Sequence, residues 1–134
     1  MHRPIWGVVQ LSWAMVVGGN RTLAAGLNGN PVPPNVGLMI AGHIHTFEAI
    51  NYESGAPPQI IAGEGGDLLD AAPADLSGRS VLAMKISNGL SLPGYGFLLL
   101  TQADGKWTID VRSADGTSMR TCELAERRLS CLAQ

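Results

Sequence analysis

The chain has 134 residues, of which 46% are hydrophobic and 15% charged, and this excludes a disordered or fibrous protein in favour of one folded domain. Its formal net charge is -2, with lysines and arginines scattered singly. No basic stripe for a nucleic-acid backbone is evident, so no nucleic-acid partner is predicted. The 17 glycines and 8 prolines predict many turns and short strands.

The first apolar run, IWGVVQL from Ile5 to Leu11, allows two interpretations. A basic start, an apolar stretch and small residues after it are also features of a secretory signal peptide. Gln10 and Ser12 interrupt the apolar stretch and no convincing cleavage site follows, which favours a buried strand. A membrane span needs about 20 apolar residues, and the run is too short for one.

The middle of the chain predicts one short helix and several buried strands. Asn20 can cap a helix over residues 22–27, and the prolines that follow predict a loop. The apolar runs at 36–41 and 57–62 have the length of strands that are covered on both faces. A further single strand is predicted over residues 79–87.

From Gly96 onward, three strand-like runs are joined by two Ala-Asp-Gly turns, and this pattern predicts an antiparallel meander. The runs are GFLLLTQ, KWTIDVRS and TSMRTCEL. We therefore expect residues 96–134 to form a β-meander tail with a cysteine hairpin, packed on the same domain as residues 1–95.

Both cysteines lie in this tail. If Glu126 and Arg127 form a two-residue turn, Cys122 lies directly opposite Cys131 on antiparallel strands, within bridging distance. A disulfide predicts a periplasmic or secreted protein. Glu-Arg is not the dipeptide typical of a tight hairpin turn, so two reduced cysteines in a cytoplasmic protein stay the alternative.

Two of the three histidines lie in MIAGHIHTFE, directly after the apolar run at 36–41. The rings of His43 and His45 can converge on one metal ion if the backbone is extended or turning, and Gly42 lacks a side chain where the strand must bend. Ligand sites gather at the C-terminal ends of strands in open α/β sheets, so this position suits a binding site.

The Gly-His-x-His block, with His2-Arg3-Pro4 upstream, resembles the last two metal-ligand blocks of the calcineurin-like metallophosphoesterases. The meander from Gly96 resembles the tail of the exported bacterial members. The resemblance implies phosphoester hydrolysis at two divalent or trivalent metal ions (Fe, Zn or Mn), with His2 and His43 on one ion and His45 on the other.

The same resemblance implies the fold class. It is α/β (α+β), as the strand-dominated C-terminal half of an αββα sandwich, in which residues 1–95 are the C-terminal part of the catalytic domain. The family's D-x-H, G-D-x-x-D and G-N-H-D/E blocks do not precede His2. Three neutral histidines cannot neutralise two divalent cations, so we expect a missing N-terminal half to be the partner. The chain alone is then inactive, the substrate is a phosphoester, and no catalytic residue is assigned within the chain.

Four acidic residues close to the histidine block in sequence are candidates for supporting roles. Asp67 and Asp70 spell G-D-x-x-D, but they follow the histidine block, the wrong order for the family, and we interpret them as loop or capping residues. Glu48 and Glu64 can orient a histidine, but we interpret them as solvated acids.

Two other functions stay open. The first is a non-enzymatic, exported, β-rich binding module in which the histidines are structural. The second is a mononuclear zinc hydrolase that uses His43, His45 and a carboxylate such as Glu64.

Overall fold

The computed structural model describes residues 1–12 and 15–132. Trp13 and Ala14, in the N-terminal apolar stretch, and residues 133–134 of the predicted tail lie outside the described residues. The elements are β1 (Val9–Ser12), β2 (Met15–Val17), α1 (Arg21–Gly26), β3 (Met39–Ala41), β4 (Phe47–Tyr52), β5 (Gln59–Ala62), β6 (Ser80–Val81), β7 (Met84–Leu92), β8 (Gly96–Ala103), β9 (Lys106–Ser113), β10 (Ser118–Ala125) and β11 (Arg128–Leu132). The protein is strand-dominated, as predicted.

The strands form two larger sheets and one hairpin. The five-stranded sheet has the order β3-β5-β4-β7-β6, in which β3 and β5 are parallel and the other neighbours are antiparallel. The four-stranded sheet has the order β11-β10-β9-β8 and is antiparallel throughout. Strands β1 and β2 form the separate hairpin. The predicted C-terminal meander and hairpin are therefore confirmed.

The two larger sheets share a hydrophobic core. Phe47 and Ile60 of the five-stranded sheet pack with Ile109 and Val111 of the four-stranded sheet, and all four side chains are at most 1% exposed. Burial of apolar side chains of this size contributes about 1.5–3 kcal/mol each. This core fixes the meander against the sheet that carries the histidine block.

A second core cluster forms around the N-terminal segment. Ile5, Trp6 and Val8 are buried with Ile50 and other side chains of the five-stranded sheet. The predicted buried strand is confirmed only in part: residues 5–8 are buried but irregular, whereas the strand begins at Val9 and is not buried, with Leu11 64% exposed. No helix in the described part of the chain has the length and apolar character needed to cross a membrane.

The cysteine hairpin has the predicted register. Cys122 pairs with Cys131 and Ala125 with Arg128, and the two sulfurs form a disulfide. Glu126 and Arg127 form the turn with φ angles of 47° and 59°. A two-residue hairpin turn with two positive φ angles matches the right-handed twist of its strands, so the register forms even without Asn-Gly.

Two predicted elements differ in extent from the structure. Residues 79–87 contain the whole two-residue strand β6 and the start of β7, because Leu82 and Ala83 adopt φ angles of 47° and 64° and reverse the chain. The predicted strand at 36–41 is regular only from Met39. The helix is confirmed within one residue of the predicted range, and Asn20 Oδ1 accepts the N–H of Leu23 at 3.0 Å as its cap.

Candidate functional site at the end of strand β3

The N-terminal residues lie alongside the end of β3. The terminal amino group of Met1 donates to the carbonyl oxygen of Ile40 at 2.8 Å, and the N–H of Gly42 donates to the carbonyl oxygen of His2 at 3.0 Å. These two bonds place the His2 ring next to the His43 ring, with centroids 5.0 Å apart and planes at 69°. Two imidazoles from distant parts of the sequence therefore meet at the end of a strand.

The turn after β3 depends on His43 and Gly63. His43 has a φ of 70°, in the left-handed region, so the turn role predicted for Gly42 falls on the next residue instead. A Cβ at Gly42 would contact the carbonyl oxygen of Ala62 at an ordinary 3.5 Å, whereas a Cβ at Gly63 would lie 1.9 Å from the carbonyl oxygen of Ile44. Close backbone approach thus requires glycine at 63.

The loop at 66–70 holds His45 in one orientation. The ring Nδ1 of His45 lies 2.7 Å from the carbonyl oxygen of Leu68. Because a carbonyl oxygen only accepts, Nδ1 carries a hydrogen, and in a neutral ring the lone pair is then on Nε2. The backbone N–H of His45 donates to Asp70 Oδ2 at 2.9 Å, and the N–H of Asp70 donates to the carbonyl oxygen of His45 at 3.0 Å. A carbonyl partner of this kind is common for metal-binding histidines.

The surroundings of His43 favour its neutral form. Desolvation has the largest effect on the pKa of His43 and lowers it below the ordinary value, and the positive charges of Arg3, His2 and His45 lower it further. The carboxylate of Asp70 acts in the opposite direction. A neutral imidazole has a free nitrogen lone pair for a metal ion or a proton.

Two glutamates near the block are buried, so their interpretation as solvated acids is wrong. Glu48 is 0% exposed, and both its carboxylate oxygens accept the N–H of Val8, at 3.2 and 3.1 Å. Burial raises the pKa of Glu48 to about 8, and the Val8 hydrogen bond opposes this shift. Its partner is a backbone group and not a histidine.

Glu64 is 3% exposed, and neither of its carboxylate oxygens makes a hydrogen bond with acceptable geometry to the described residues. Burial raises the pKa of Glu64, and the nearby backbone N–H groups of Gly63 and Glu64 act in the opposite direction.

Asp67 and Asp70 have the predicted loop roles: Asp67 Oδ1 accepts the N–H of Leu68 at 2.7 Å, and Asp70 binds the backbone of His45.

A pocket beside His43 contains residues that sequence reasoning missed. It has a volume of about 410 Å³, and its lining includes Arg3, Arg21 and Thr22. The arginines are scattered in the sequence, and only folding places them at one pocket. The signals available were that Arg3 adjoins His2 and that Arg21 follows the helix cap.

The described residues do not form a complete metal centre. Within residues 1–12 and 15–132, no group of three or more His, Cys, Asp or Glu side chains is arranged to hold a metal ion. His43, His45 and Glu64 therefore do not form such a group. A two-metal centre would in addition need carboxylates to balance the charge of its ions. Metal binding by His2, His43 and His45 stays a prediction. No family model, no curated protein and no solved structure matches the chain.

Proposed function

We propose that this chain is the histidine-bearing C-terminal part of a metal-dependent phosphoester hydrolase of the calcineurin-like type. The observation that carries the proposal is the meeting of the His2 and His43 rings, 5.0 Å apart, beside the end of β3. The carboxylate ligands would come from residues outside this sequence. In the complete αββα sandwich, the two larger sheets with their shared core would form the inner layers.

Two of the histidines, His43 and His45, would have defined parts in such a centre. The carbonyl of Leu68 leaves Nε2 of His45 as the ligand nitrogen. The lowered pKa of His43 keeps its ring neutral at pH 7, which is the form that binds metal ions. Fe, Zn or Mn would supply charge stabilisation for the phosphoester. The disulfide of the C-terminal hairpin supports a periplasmic or secreted location, where such bonds persist.

Calorimetric titration of the purified chain with Zn²⁺ or Mn²⁺ tests the proposal. We expect weak binding, since carboxylate ligands are missing, and loss of that binding in the variants His43→Ala and His45→Ala. His43 is exposed and His45 is partly buried, and the melting temperature checks that each variant keeps the fold. The control is Glu53→Gln, an exposed residue that pairs with Lys85. Absence of metal uptake, or equal uptake by the histidine variants, would contradict the proposal.

A non-enzymatic exported binding module is the second candidate. It is favoured by the lack of a three-residue metal-binding group in the described part of the chain and by the closed cysteine hairpin. In that case the histidines are structural, and His43→Ala changes neither metal content nor any hydrolytic activity of a longer form of the protein.

A further inference from the structure

The lining of the pocket beside His43 includes two cationic side chains. Arg3 and Arg21 line it, and both residues are exposed. No acidic residue lines the pocket, and within the described chain neither guanidinium forms an ion pair with a carboxylate. Two unpaired positive charges at one concave surface attract and concentrate anions. The guanidinium group binds phosphate well, because its planar N–H donors match two phosphate oxygens at once.

The lining of the pocket also includes further polar side chains. Thr22 lines the pocket and adds a hydroxyl that can donate to an anion. Asn20 also lines it, but its side-chain oxygen is already used to cap α1 through the N–H of Leu23. His43 also lines the pocket, so an anion bound here would lie near the paired rings of His2 and His43.

Another part of the lining is apolar. It includes Val9, Leu11 and Ile44, of which Leu11 is 64% exposed. A leucine with this exposure at the edge of a concave site gains free energy when an apolar group covers it, about 25 cal/mol for each Å² removed from water. The volume of about 410 Å³ falls within the range of small-molecule pockets and exceeds what a phosphate alone needs.

Gly18 and Gly19 also line the pocket, and both lie where the chain is tightly packed. A Cβ at Gly18 would lie 1.5 Å from the carbonyl oxygen of Gly7, so the two backbones approach too closely for any other residue. Gly19 has a φ of 91°, and a Cβ there would lie 2.7 Å from Leu82 Cδ1.

From these observations, we propose that this pocket binds a phosphomonoester with an apolar substituent. The phosphoryl group would lie between Arg3 and Arg21, and the substituent would lie against Leu11 and Ile44. The inference deepens the proposed function, because it names the substrate class for the site beside His43. It does not need a bound metal ion, since the guanidinium groups alone supply the positive charge.

The test is calorimetry on metal-free protein, prepared with a chelator that is then dialysed away, in about 0.15 M salt so that weak surface attraction is screened. The probes are phenyl phosphate and inorganic phosphate. We expect phenyl phosphate to bind several-fold more tightly than inorganic phosphate. Arg3→Gln and Arg21→Gln should each weaken both ligands about tenfold, the loss expected for a charge-assisted hydrogen-bond pair.

Two further variants test the apolar part of the lining and the specificity of the charge effect. Leu11→Ser should abolish the preference for phenyl phosphate and leave the affinity for inorganic phosphate unchanged. Lys106→Gln, at an exposed position that starts β9 and is absent from the pocket lining, is the matched charge control and should bind both ligands normally.

Three outcomes would overturn the inference: neither ligand binds to metal-free protein, both bind equally well, or Lys106→Gln weakens binding as much as the two pocket variants do. Metal uptake by the histidines is measured separately. Phosphate binding without metal uptake would therefore reject the proposed function alone, and metal uptake without phosphate binding would reject this inference alone.

Discussion

The side-chain amide of Asn51 makes two hydrogen bonds to the backbone of Leu129. Asn51 Nδ2 donates to the carbonyl oxygen of Leu129, and Asn51 Oδ1 accepts the N–H of Leu129, both at 2.9 Å. Asn51 lies in β4 of the five-stranded sheet and Leu129 in β11 of the four-stranded sheet. Both residues are buried, at 7% and 3% exposed. The side-chain amide of Asn51 thus links the two sheets through two hydrogen bonds to the backbone of β11.

Replacing Asn51 by Ala should destabilise the protein strongly. The change leaves a buried N–H and a buried carbonyl oxygen of Leu129 without partners, which costs roughly 2–4 kcal/mol. The measurement is the free energy of unfolding in urea. Asn88→Ala is the matched control, because Asn88 is exposed in the neighbouring strand β7 and pairs with Asn51 in register. Equal effects of the two substitutions would show that the bonds to Leu129 contribute nothing specific.

The disulfide should contribute about 2–3 kcal/mol to stability, the value expected for a closed loop of this length. Cys122 and Cys131 are nine residues apart in sequence. Reduction with dithiothreitol should therefore lower the urea concentration at the midpoint of unfolding of the protein without substitutions. The same treatment should have no effect on the double variant Cys122→Ala/Cys131→Ala, which serves as the control. An unchanged midpoint after verified reduction would contradict this expectation.

The C-terminal hairpin shows how much the sequence could predict. The disulfide and the register followed from the facing cysteines and from the alternation of side chains in antiparallel strands. The turn at Leu82 and Ala83 was not predicted, because neither residue is typical of positive φ angles. Tertiary packing, and not local preference, imposes that reversal.

Strand β4 illustrates the opposite case. All six of its residues, FEAINY, are buried. The run nevertheless includes a glutamate and an asparagine, which are typical of exposed segments. Their partners, Val8 and Leu129, are far away in sequence, so no local pattern could reveal that these polar groups are satisfied. At the candidate site, the sequence pointed to His43 and His45, but the arginine pocket depended on long-range contacts.

Burial of Glu48 should make stability depend on pH. The pKa of this carboxyl is raised from 4.5 to about 8 in the folded protein, so the folded state binds more protons than the unfolded state between these values. The contribution of Glu48 to the free energy of unfolding should therefore be most favourable below about pH 4.5. It should fall by roughly 2–5 kcal/mol as the pH rises to 8.

Glu48→Gln should flatten most of this decline, as measured by urea unfolding at several pH values. Glu64 is also buried with a raised pKa and should account for part of the remainder. Glu53→Gln is the control, because Glu53 is exposed, and it should keep the pH dependence of the unchanged protein. A pH profile that Glu48→Gln leaves unaltered would show that this carboxyl is not the source.

Asp70 should hold the histidine block in place through the backbone of His45. In Asp70→Ala, the N–H of His45 loses its acceptor, and its amide hydrogen exchange should accelerate about tenfold, the equivalent of about 1.4 kcal/mol. Asp70→Asn keeps an acceptor oxygen and should retain slow exchange. The rates are read by NMR. Identical exchange in the Ala and Asn variants would mean that the oxygen of Asp70 does not protect this amide.

Strand β11 is held along both of its edges. The hydrogen-bonded ladder and the disulfide attach it to β10 on one side, and the amide of Asn51 holds Leu129 on the other. Chain ends usually fray first and are the easiest places for an exopeptidase to begin. Here, β11 is attached on both sides, so this segment should be among the last parts to open.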